Sequence, residues 1–357
     1  MSKIYIHGVQ KNSDQSFVDE VIKQVFLEST NNLKWLKKND KVLLKPALNS
    51  PDPYPSTTHP RSVAVVADIL KERGAKVYVG DQSGIEHVFH SKQGVVKGSS
   101  KKNYHDSGMG KGVDAKFVAF EDGDWIKDFY LYKTKKTVSW PNGFYLTKWI
   151  KEVDHIISLP RLSTHAMSGV TLGYKNMVGV LRQDSRTEFH AKGPFNSFIS
   201  SDRKRSSLKK GQYLDFFNMM VEISLALQEK LRCTLFTATK AQTTFGPDKI
   251  VGNFFKSHVS IPKQGLVFAS NNSLAAEVFA LAHLIHLYKS VPTSAKQTQK
   301  LLMFINKYSK ELGKESVWKN PFITHALKLG LGNREIELSF TSVSKDFQKT
   351  LADMVSP

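Results

Sequence analysis

Two short stretches of the sequence place a basic side chain beside hydroxyl or amide side chains. Thr164 precedes His165 in the first stretch, and Lys175 precedes Asn176 in the second. An imidazole can transfer a proton near neutral pH, and an ammonium group at a glycine-rich turn can neutralise an anion. We therefore predict His165 and Lys175 as catalytic residues, with Thr164 and Asn176 as ligand-binding residues.

Comparable polar clusters follow other segments that we predict to be strands. A parallel sheet binds its ligands at the carboxyl ends of its strands, where the connecting loops converge. Ammonium, imidazole, carboxylate, hydroxyl and amide groups together suit a small anionic ligand, either a carboxylate or a phosphate. A further cluster, residues 270–272, also follows a predicted strand and is expected at the same edge. The remaining ligand-binding candidates are Lys45, Asn49, Thr58, His59, Asp81, Ser83 and Lys240.

Several of these candidates also have a structural alternative. His165 could bridge backbone groups, and Lys175 could be a solvated surface residue. Lys45 could form a salt bridge with Asp81 on the neighbouring strand. Asp81 could instead cap the turn that follows it. The residue types alone leave these alternatives open.

Cysteine and histidine spacing argues against a metal centre. Cys233 is the single cysteine, which excludes an internal disulfide, a cysteine-rich zinc site and a cysteine-ligated iron–sulfur cluster within one chain. The pairs His87/His90 and His283/His286 could each meet a metal on one helix face, but the spacing offers no third ligand. We predict no metal site, no particular cofactor, a reducing compartment and a cytoplasmic location.

The chain is strongly basic, since 357 residues include 51 Lys and Arg against 32 Asp and Glu, a formal net charge of +19. Such a charge attracts nucleic acid, an anionic membrane surface or an anionic substrate. The most apolar long window, residues 273–288, is interrupted by Glu277, His283 and His286, so we predict no transmembrane segment. A nucleic-acid-binding protein without catalysis is the main alternative to an enzyme.

The elements that must position these residues alternate between strands and helices. Pro60 and Gly74 bracket a helix, and short apolar strands at 42–44 and 77–79 are typical of a parallel sheet buried on both faces. We predict an α/β fold, with a mostly parallel sheet flanked by helices and an antiparallel insertion around 93–142. The predicted parts are an α/β core at 1–92 and 143–340, the insertion or hairpin subdomain at 93–142, a basic loop or lid at 182–211 that includes Arg203 to Arg205, and a C-terminal helix at 341–357.

Several of these segments resemble a known family, the domain of unknown function 362. The runs Leu159 to His165 and Gly173 to Gly179 carry the most specific part of the resemblance, which covers residues 40–332. It implies an α/β fold but no general reaction. Many members carry a cysteine-rich ferredoxin-like module, which this chain cannot form with one cysteine. The sequence departs from the family pattern at Ala47, Arg161 and Asn272.

A second similarity is to the catalytic domain of nickel-pincer lactate racemases. Those enzymes also place a histidine ten residues before a functional lysine, as His165 and Lys175 are placed in this sequence. The resemblance implies a site for a 2-hydroxy acid or a similar carboxylate, with His165 as a proton-transfer group and Lys175 holding substrate or cofactor. The activity could be that of an isomerase or racemase, or that of an oxidoreductase. The chain could also be a family member that keeps the fold and has lost catalytic activity.

These observations together predict an enzyme, or a binding protein derived from one, that acts on a small anionic ligand by proton or group transfer. The site is expected at the carboxyl ends of the parallel strands. His165 would act as a general acid or base, while Lys45, Lys175 and Asn176 would neutralise the anion. The sequence predicts no particular oligomeric state.

Overall fold

The computed structural model describes residues 1–192, 214–251, 255–302 and 312–357, so the predicted basic run Arg203 to Arg205 lies outside the described residues. The strands are β1 (Ser2–Gln10), β2 (Lys41–Pro46), β3 (Lys76–Asp81), β4 (Phe89–Ser91), β5 (Gly94–Lys97), β6 (Lys116–Ala119), β7 (Phe129–Tyr132), β8 (Phe144–Thr147), β9 (His155–Leu159), β10 (Ser163–His165), β11 (Gly169–Thr171), β12 (Leu231–Ala238), β13 (Ala241–Gln242), β14 (Ile250–Val251), β15 (Phe255–Lys256), β16 (Val259–Ser260), β17 (Gln264–Ser270) and β18 (Ile336–Thr341).

The helices are numbered in the same way. They are α1 (Gln15–Ser29), α2 (Pro60–Glu72), α3 (Ser100–Asp106), α4 (Trp149–Glu152), α5 (Gly173–Asn176), α6 (Gln183–Ala191), α7 (Leu214–Ile223), α8 (Ser273–Lys289), α9 (Thr293–Leu302), α10 (Pro321–Leu329) and α11 (Lys345–Val355). The closing strand and the C-terminal helix that the sequence predicts correspond to β18 and α11.

Eight strands form the central sheet in the order β18-β1-β17-β12-β9-β2-β3-β6. β17 runs antiparallel to both of its neighbours, and every other neighbouring pair in this sheet is parallel. The strands of the other sheets are short. The predicted α/β fold with a mostly parallel sheet is confirmed.

The direction of β17 corrects one expectation about the site. Because this strand opposes its neighbours, its carboxyl end lies at the edge where the other strands begin. Ser270 Oγ donates a hydrogen bond to the backbone oxygen of Lys3 near the start of β1, at 2.8 Å. The side-chain oxygen of Asn272 accepts from the backbone N–H of Ala275 and caps α8. The cluster at 270–272 is therefore structural and lies away from the other strand ends.

Helices cover both faces of the sheet because successive residues of its strands point to opposite sides. In β2, Leu43 packs into one hydrophobic core, while Val42 and Leu44 pack into the other. Helices α1 and α2 contribute to the core that holds Val42 and Leu44. Helices α7, α8 and α10 contribute to the core that holds Leu43. The carboxyl ends of the strands are therefore held rigidly between two packed layers.

β5, β6 and β7 lie within the predicted insertion at 93–142, and β4 and β8 lie just outside it. β4 pairs with β5, and β7 pairs with β8. β6, in contrast, lies parallel to β3 at the edge of the central sheet. Phe117 and Val118 of this strand pack on opposite cores, as strand residues covered on both faces do. The alternating sequence of β6 predicts a strand but does not predict its direction.

The first part of the predicted basic loop or lid is helical, since α6 occupies 183–191. The helix is fixed by Phe189, whose ring is buried and stacks on Phe216 of α7 with centroids 4.6 Å apart. The other predicted lid residues from 193 onwards are outside the described part of the chain. Within the described ranges, every helix is too short or too polar to traverse a lipid bilayer.

Candidate functional site

A cavity of about 740 Å³ lies at the carboxyl ends of β2, β3 and β9. The loops after these strands line it together with the short helix α5, one face of α6 and the segment 246–248. This is the edge of the sheet at which the sequence predicts a site. The structure brings five of the predicted residues together in the cavity lining: Asn49, Asp81, His165, Lys175 and Asn176.

Lys45 lies behind this lining and uses its ammonium group within the protein. Its Nζ is 2.8 Å from Asp81 Oδ1 and donates to the backbone oxygen of Pro46 at 2.7 Å and to Asn176 Oδ1 at 3.3 Å. Asp81 Oδ2 also accepts from the backbone N–H of Leu48 at 2.9 Å. The three N–H bonds of Lys45 are therefore matched by three acceptors. The geometry corresponds to the buried salt bridge that was the structural alternative for this pair.

Asn176 also joins neighbouring strands. Its Nδ2 donates to the backbone oxygen of Lys45 at 2.9 Å and to Ser158 Oγ at 3.1 Å, which links β2 to β9. The nearby Gly179 has to be a glycine, because a Cβ at that position would lie 1.9 Å from Asp81 Oδ1. These contacts build the floor of the cavity rather than offering groups to a ligand.

The other predicted residues outside the lining connect loops to one another. Thr58 Oγ1 donates to the backbone oxygen of Leu159 and accepts from the N–H of Ala47 at 2.8 Å. The side chain of His59 caps α2. The backbone N–H of Ser83 donates to Ser100 Oγ, and the hydroxyl of Thr164 donates to the backbone oxygen of Gln242. Lys240 is exposed, and its backbone N–H donates to the Tyr54 hydroxyl.

Three basic side chains line the cavity without a carboxylate at ion-pair distance in the described part of the chain: Arg161, Lys175 and Arg186. Arg161 Nη1 donates to the backbone oxygen of Pro247 at 2.7 Å. Arg186 Nη2 donates to the backbone oxygen of Ser83. In each arginine the buried Nε has no partner among the described residues. Backbone oxygens thus orient both guanidinium groups without neutralising their charge.

The amine of Lys175 has the most perturbed environment of the three. Burial is the main cause that lowers its pKa to about 7, and the positive charges of Arg161 and Arg186 lower it further. No hydrogen-bond acceptor for its Nζ lies among the residues that the structure describes. The Nζ is 5.7 Å from the centroid of the Phe189 ring. At neutral pH a substantial fraction of this side chain is therefore the uncharged amine.

Two histidines of the lining have opposite tautomers. His165 Nδ1 accepts from the backbone N–H groups of Met167 at 3.0 Å and Ser168 at 3.3 Å, so the proton of the neutral ring is on Nε2. His190 Nδ1 lies 2.7 Å from the backbone oxygen of Arg186, which can only accept, so its proton is on Nδ1. One ring thus carries an N–H at Nε2, and the other carries a lone pair there.

The electrostatics keep both rings neutral. Burial, followed by the charges of Lys175 and Arg161, holds the pKa of His165 well below its ordinary value of 6.5. Burial, followed by Lys175, lowers the pKa of His190 to about 3. The neutral ring of His165 therefore carries its proton on Nε2, while Nδ1 accepts from two backbone N–H groups.

Comparison with known proteins identifies the family of this chain. Residues 42–282 match the model of the family described as Domain of unknown function (DUF362). The chain belongs to this family. Every cavity-lining residue of this DUF362 protein lies within the matched range. The chain is also 26% identical, over 308 residues, to the Thylakoid-associated protein sll1697 of Synechocystis sp. (strain ATCC 27184 / PCC 6803 / Kazusa), covering 83% of this chain and 81% of that protein.

The DUF362 cavity contains residues that sequence reasoning did not select. Arg161 appeared only as a departure from the family pattern, although it lies in the most specific run. Arg186 and His190 were assigned to a basic loop, yet their spacing of four residues places them on one face of α6. His87 and Asp248 also line the cavity, with Nε2 and Oδ2 at 2.7 Å. Helical spacing within 183–191 was the signal that could have revealed Arg186 and His190.

Proposed function

We propose that the cavity binds a small organic anion, a carboxylate or a phosphate, and that the protein acts on it by proton or group transfer. The observation that carries this proposal is the set Arg161, Lys175 and Arg186, which lines one cavity without a carboxylate partner in the described ranges. A buried cation without a counter-ion is costly, because the desolvation of the charge is not offset. A bound anion would supply the missing counter-ion.

The shape and lining of the cavity support a ligand with an organic body. Its volume of about 740 Å³ is in the range of small-molecule sites. Apolar side chains, including Ile85, Met167 and Val178, line it beside the basic groups. The cations would bind the anionic group, and these apolar side chains would contact the remainder of the molecule.

The two histidines give the proposal its chemistry. His165, protonated on Nε2, would donate a hydrogen bond to an oxygen of the ligand and stabilise negative charge that develops there. His190, with its lone pair on Nε2, would accept a hydrogen bond or a proton. Of the general acid or base role that the sequence predicts for His165, the proposal takes the donor side, since two backbone N–H groups donate to Nδ1.

Thermal shift with a panel of small carboxylates and phosphates tests the proposed function. At least one compound is expected to raise the melting temperature. Lys175→Met should weaken the affinity for that compound by about one to two powers of ten, since a charged hydrogen bond contributes roughly 1.5–3 kcal/mol. Lys240→Met is the matched control, because Lys240 is exposed and outside the lining, and it should leave the affinity unchanged. Equal affinity in wild type and Lys175→Met would exclude this site.

A cytoplasmic location is part of the proposal. The name of the cyanobacterial relative records an association with thylakoids for that protein. Fractionation of cells that produce this chain would distinguish a cytoplasmic location from membrane association. A protein that is bound only electrostatically leaves anionic membranes at high salt. Recovery with membranes at high salt would contradict the cytoplasmic assignment.

A further inference from the structure

Lys175 differs from an ordinary charge-binding lysine in what surrounds its amine. Lys45, near the end of β2, has three acceptors around its Nζ, one of which is the Asp81 carboxylate. Lys175 lines the same end of the sheet but has neither a carboxylate nor a hydrogen-bond acceptor among the described residues. Burial without a partner favours the uncharged form of an amine. An uncharged amine has a free lone pair and is a nucleophile.

The neighbouring arginines keep their positive charge at neutral pH. Burial lowers the pKa of Arg161 and that of Arg186 only to about 10, so both guanidinium groups are positive at neutral pH. Backbone oxygens of Pro247 and Ser83 fix their orientation. In each guanidinium group the Nε is a buried donor without a partner among the described residues. The cavity thus combines two permanent cations with one amine that loses its proton near pH 7.

We propose that Lys175 forms a covalent imine with a small 2-oxo acid whose carboxylate binds Arg161 and Arg186. This inference rests on the proposed function, because it requires that the cavity binds an organic anion. A 2-oxo acid fits the arrangement because its carbonyl carbon is bonded directly to the carboxylate carbon. A carboxylate that binds both arginines therefore brings the electrophilic carbon beside the amine.

The reaction balances without a redox partner. The lone pair of Nζ attacks the carbonyl carbon, a C–N bond forms, and the carbonyl π electrons move to the oxygen. Both amine protons then pass to that oxygen, the C–O bond breaks, and one water molecule leaves. The product is an imine between Nζ and the former carbonyl carbon. The N–H of His165 would stabilise the oxygen while it carries negative charge.

Borohydride trapping tests the inference on the full chain. The protein is incubated separately with pyruvate, 2-oxobutyrate, 2-oxoglutarate and phenylpyruvate, and sodium borohydride then reduces any imine to a stable secondary amine. Mass spectrometry should show, with at least one of these acids, one added molecule less its carbonyl oxygen, and peptide mapping should place it on Lys175. No adduct with any of the four, or adducts spread over many lysines, would overturn the inference.

Two variants separate this inference from the proposed function. Lys175→Arg keeps a positive charge but removes the primary amine, so it should still be stabilised by the anions that stabilise wild type and should give no adduct. Lys240→Met should behave like wild type in both assays. Anion stabilisation without trapping would end the imine proposal and leave the anion site intact. Absence of any anion effect on the wild-type protein would instead end the proposed function.

Discussion

Lys45 and Lys175 show that two lysines at one edge of a sheet can have unrelated roles. Lys45 is buried with a carboxylate and two further acceptors, so its charge is compensated within the fold. Lys175 lies near two arginines, and burial together with their positive charges disfavours the protonated form of its amine. The first residue stabilises the floor of the cavity, and the second is available to a ligand. The residue type is the same, and only the neighbours differ.

The unusual pKa of Lys175 gives the first prediction at this scale. Competitive acylation with acetic anhydride, followed by peptide mapping, measures how the reactivity of each lysine depends on pH. Lys175 should become reactive with a midpoint near 7, since burial and the adjacent guanidinium groups lower its pKa to about 7. The other lysines of the chain serve as internal controls, since an ordinary lysine side chain titrates near 10. A midpoint for Lys175 near theirs would contradict the proposed environment.

The salt bridge of Lys45 gives the second prediction. Lys45→Met leaves Asp81 buried without its partner, so the free energy of unfolding should fall by about 3–5 kcal/mol. Urea denaturation followed by circular dichroism measures this change. The double variant Lys45→Met/Asp81→Asn removes both charges and should recover part of the loss. A single variant as stable as wild type would show that the ion pair does not hold the cavity floor.

At the scale of elements, the short helix α5 is positioned by the long helix α8. Glu277 of α8 accepts from the backbone N–H of Tyr174 at 3.1 Å, at the amino end of the turn that carries Lys175. Gly173 allows this close approach, since a Cβ there would lie 2.9 Å from Glu277 Oε2 and the carboxylate would have to shift. Glu277 is outside the cavity lining and acts as a positioning residue. A contact between two elements therefore sets where the amine lies.

The burial of Glu277 predicts a pH-dependent stability. Burial raises its pKa from 4.5 to about 8 in the fold, so between these values the folded protein binds more protons than the unfolded chain. The contribution of Glu277 to the free energy of unfolding is therefore greatest below pH 4.5, and it is lost as the pH rises towards 8. Glu277→Gln cannot titrate, so its stability relative to wild type should increase from pH 5 to pH 8 and then level off. Urea denaturation across this range measures the difference, and a constant difference would contradict the assignment.

At the scale of the whole molecule, the net charge of +19 has to be weighed against where the charges lie. Two guanidinium groups and the amine of Lys175 line the cavity without a carboxylate at ion-pair distance in the described ranges, which suits a small anion rather than a nucleic-acid duplex. Nucleic acid should therefore bind only weakly at physiological salt, and the binding should disappear as the salt concentration rises. Fluorescence anisotropy with labelled DNA and RNA measures this. Binding tighter than micromolar, with a salt dependence that indicates several phosphate contacts, would favour the nucleic-acid-binding alternative.

The sequence by itself determined the fold class and the family. Apolar runs such as 42–44 specify strands buried on both faces, and helical spacing specifies the covering helices. These are local properties, because the spacing of apolar residues along a strand or helix determines which of its faces is buried. The same periodicity also places polar residues after the strands, so that His165 and Lys175 were found at one edge of the sheet. Their catalytic roles stay predictions.

Only the tertiary structure decided the direction of β17, the pairing of Lys45 with Asp81 and the inward position of Arg186. A strand has the same apolar pattern in either direction, so periodicity cannot tell at which edge residues 270–272 lie. Charges that are distant in sequence compensate one another only if the fold brings them together. The availability of Lys175 to a ligand thus depends on neighbours contributed by a strand end and by α6, and no local pattern in the sequence records those contacts.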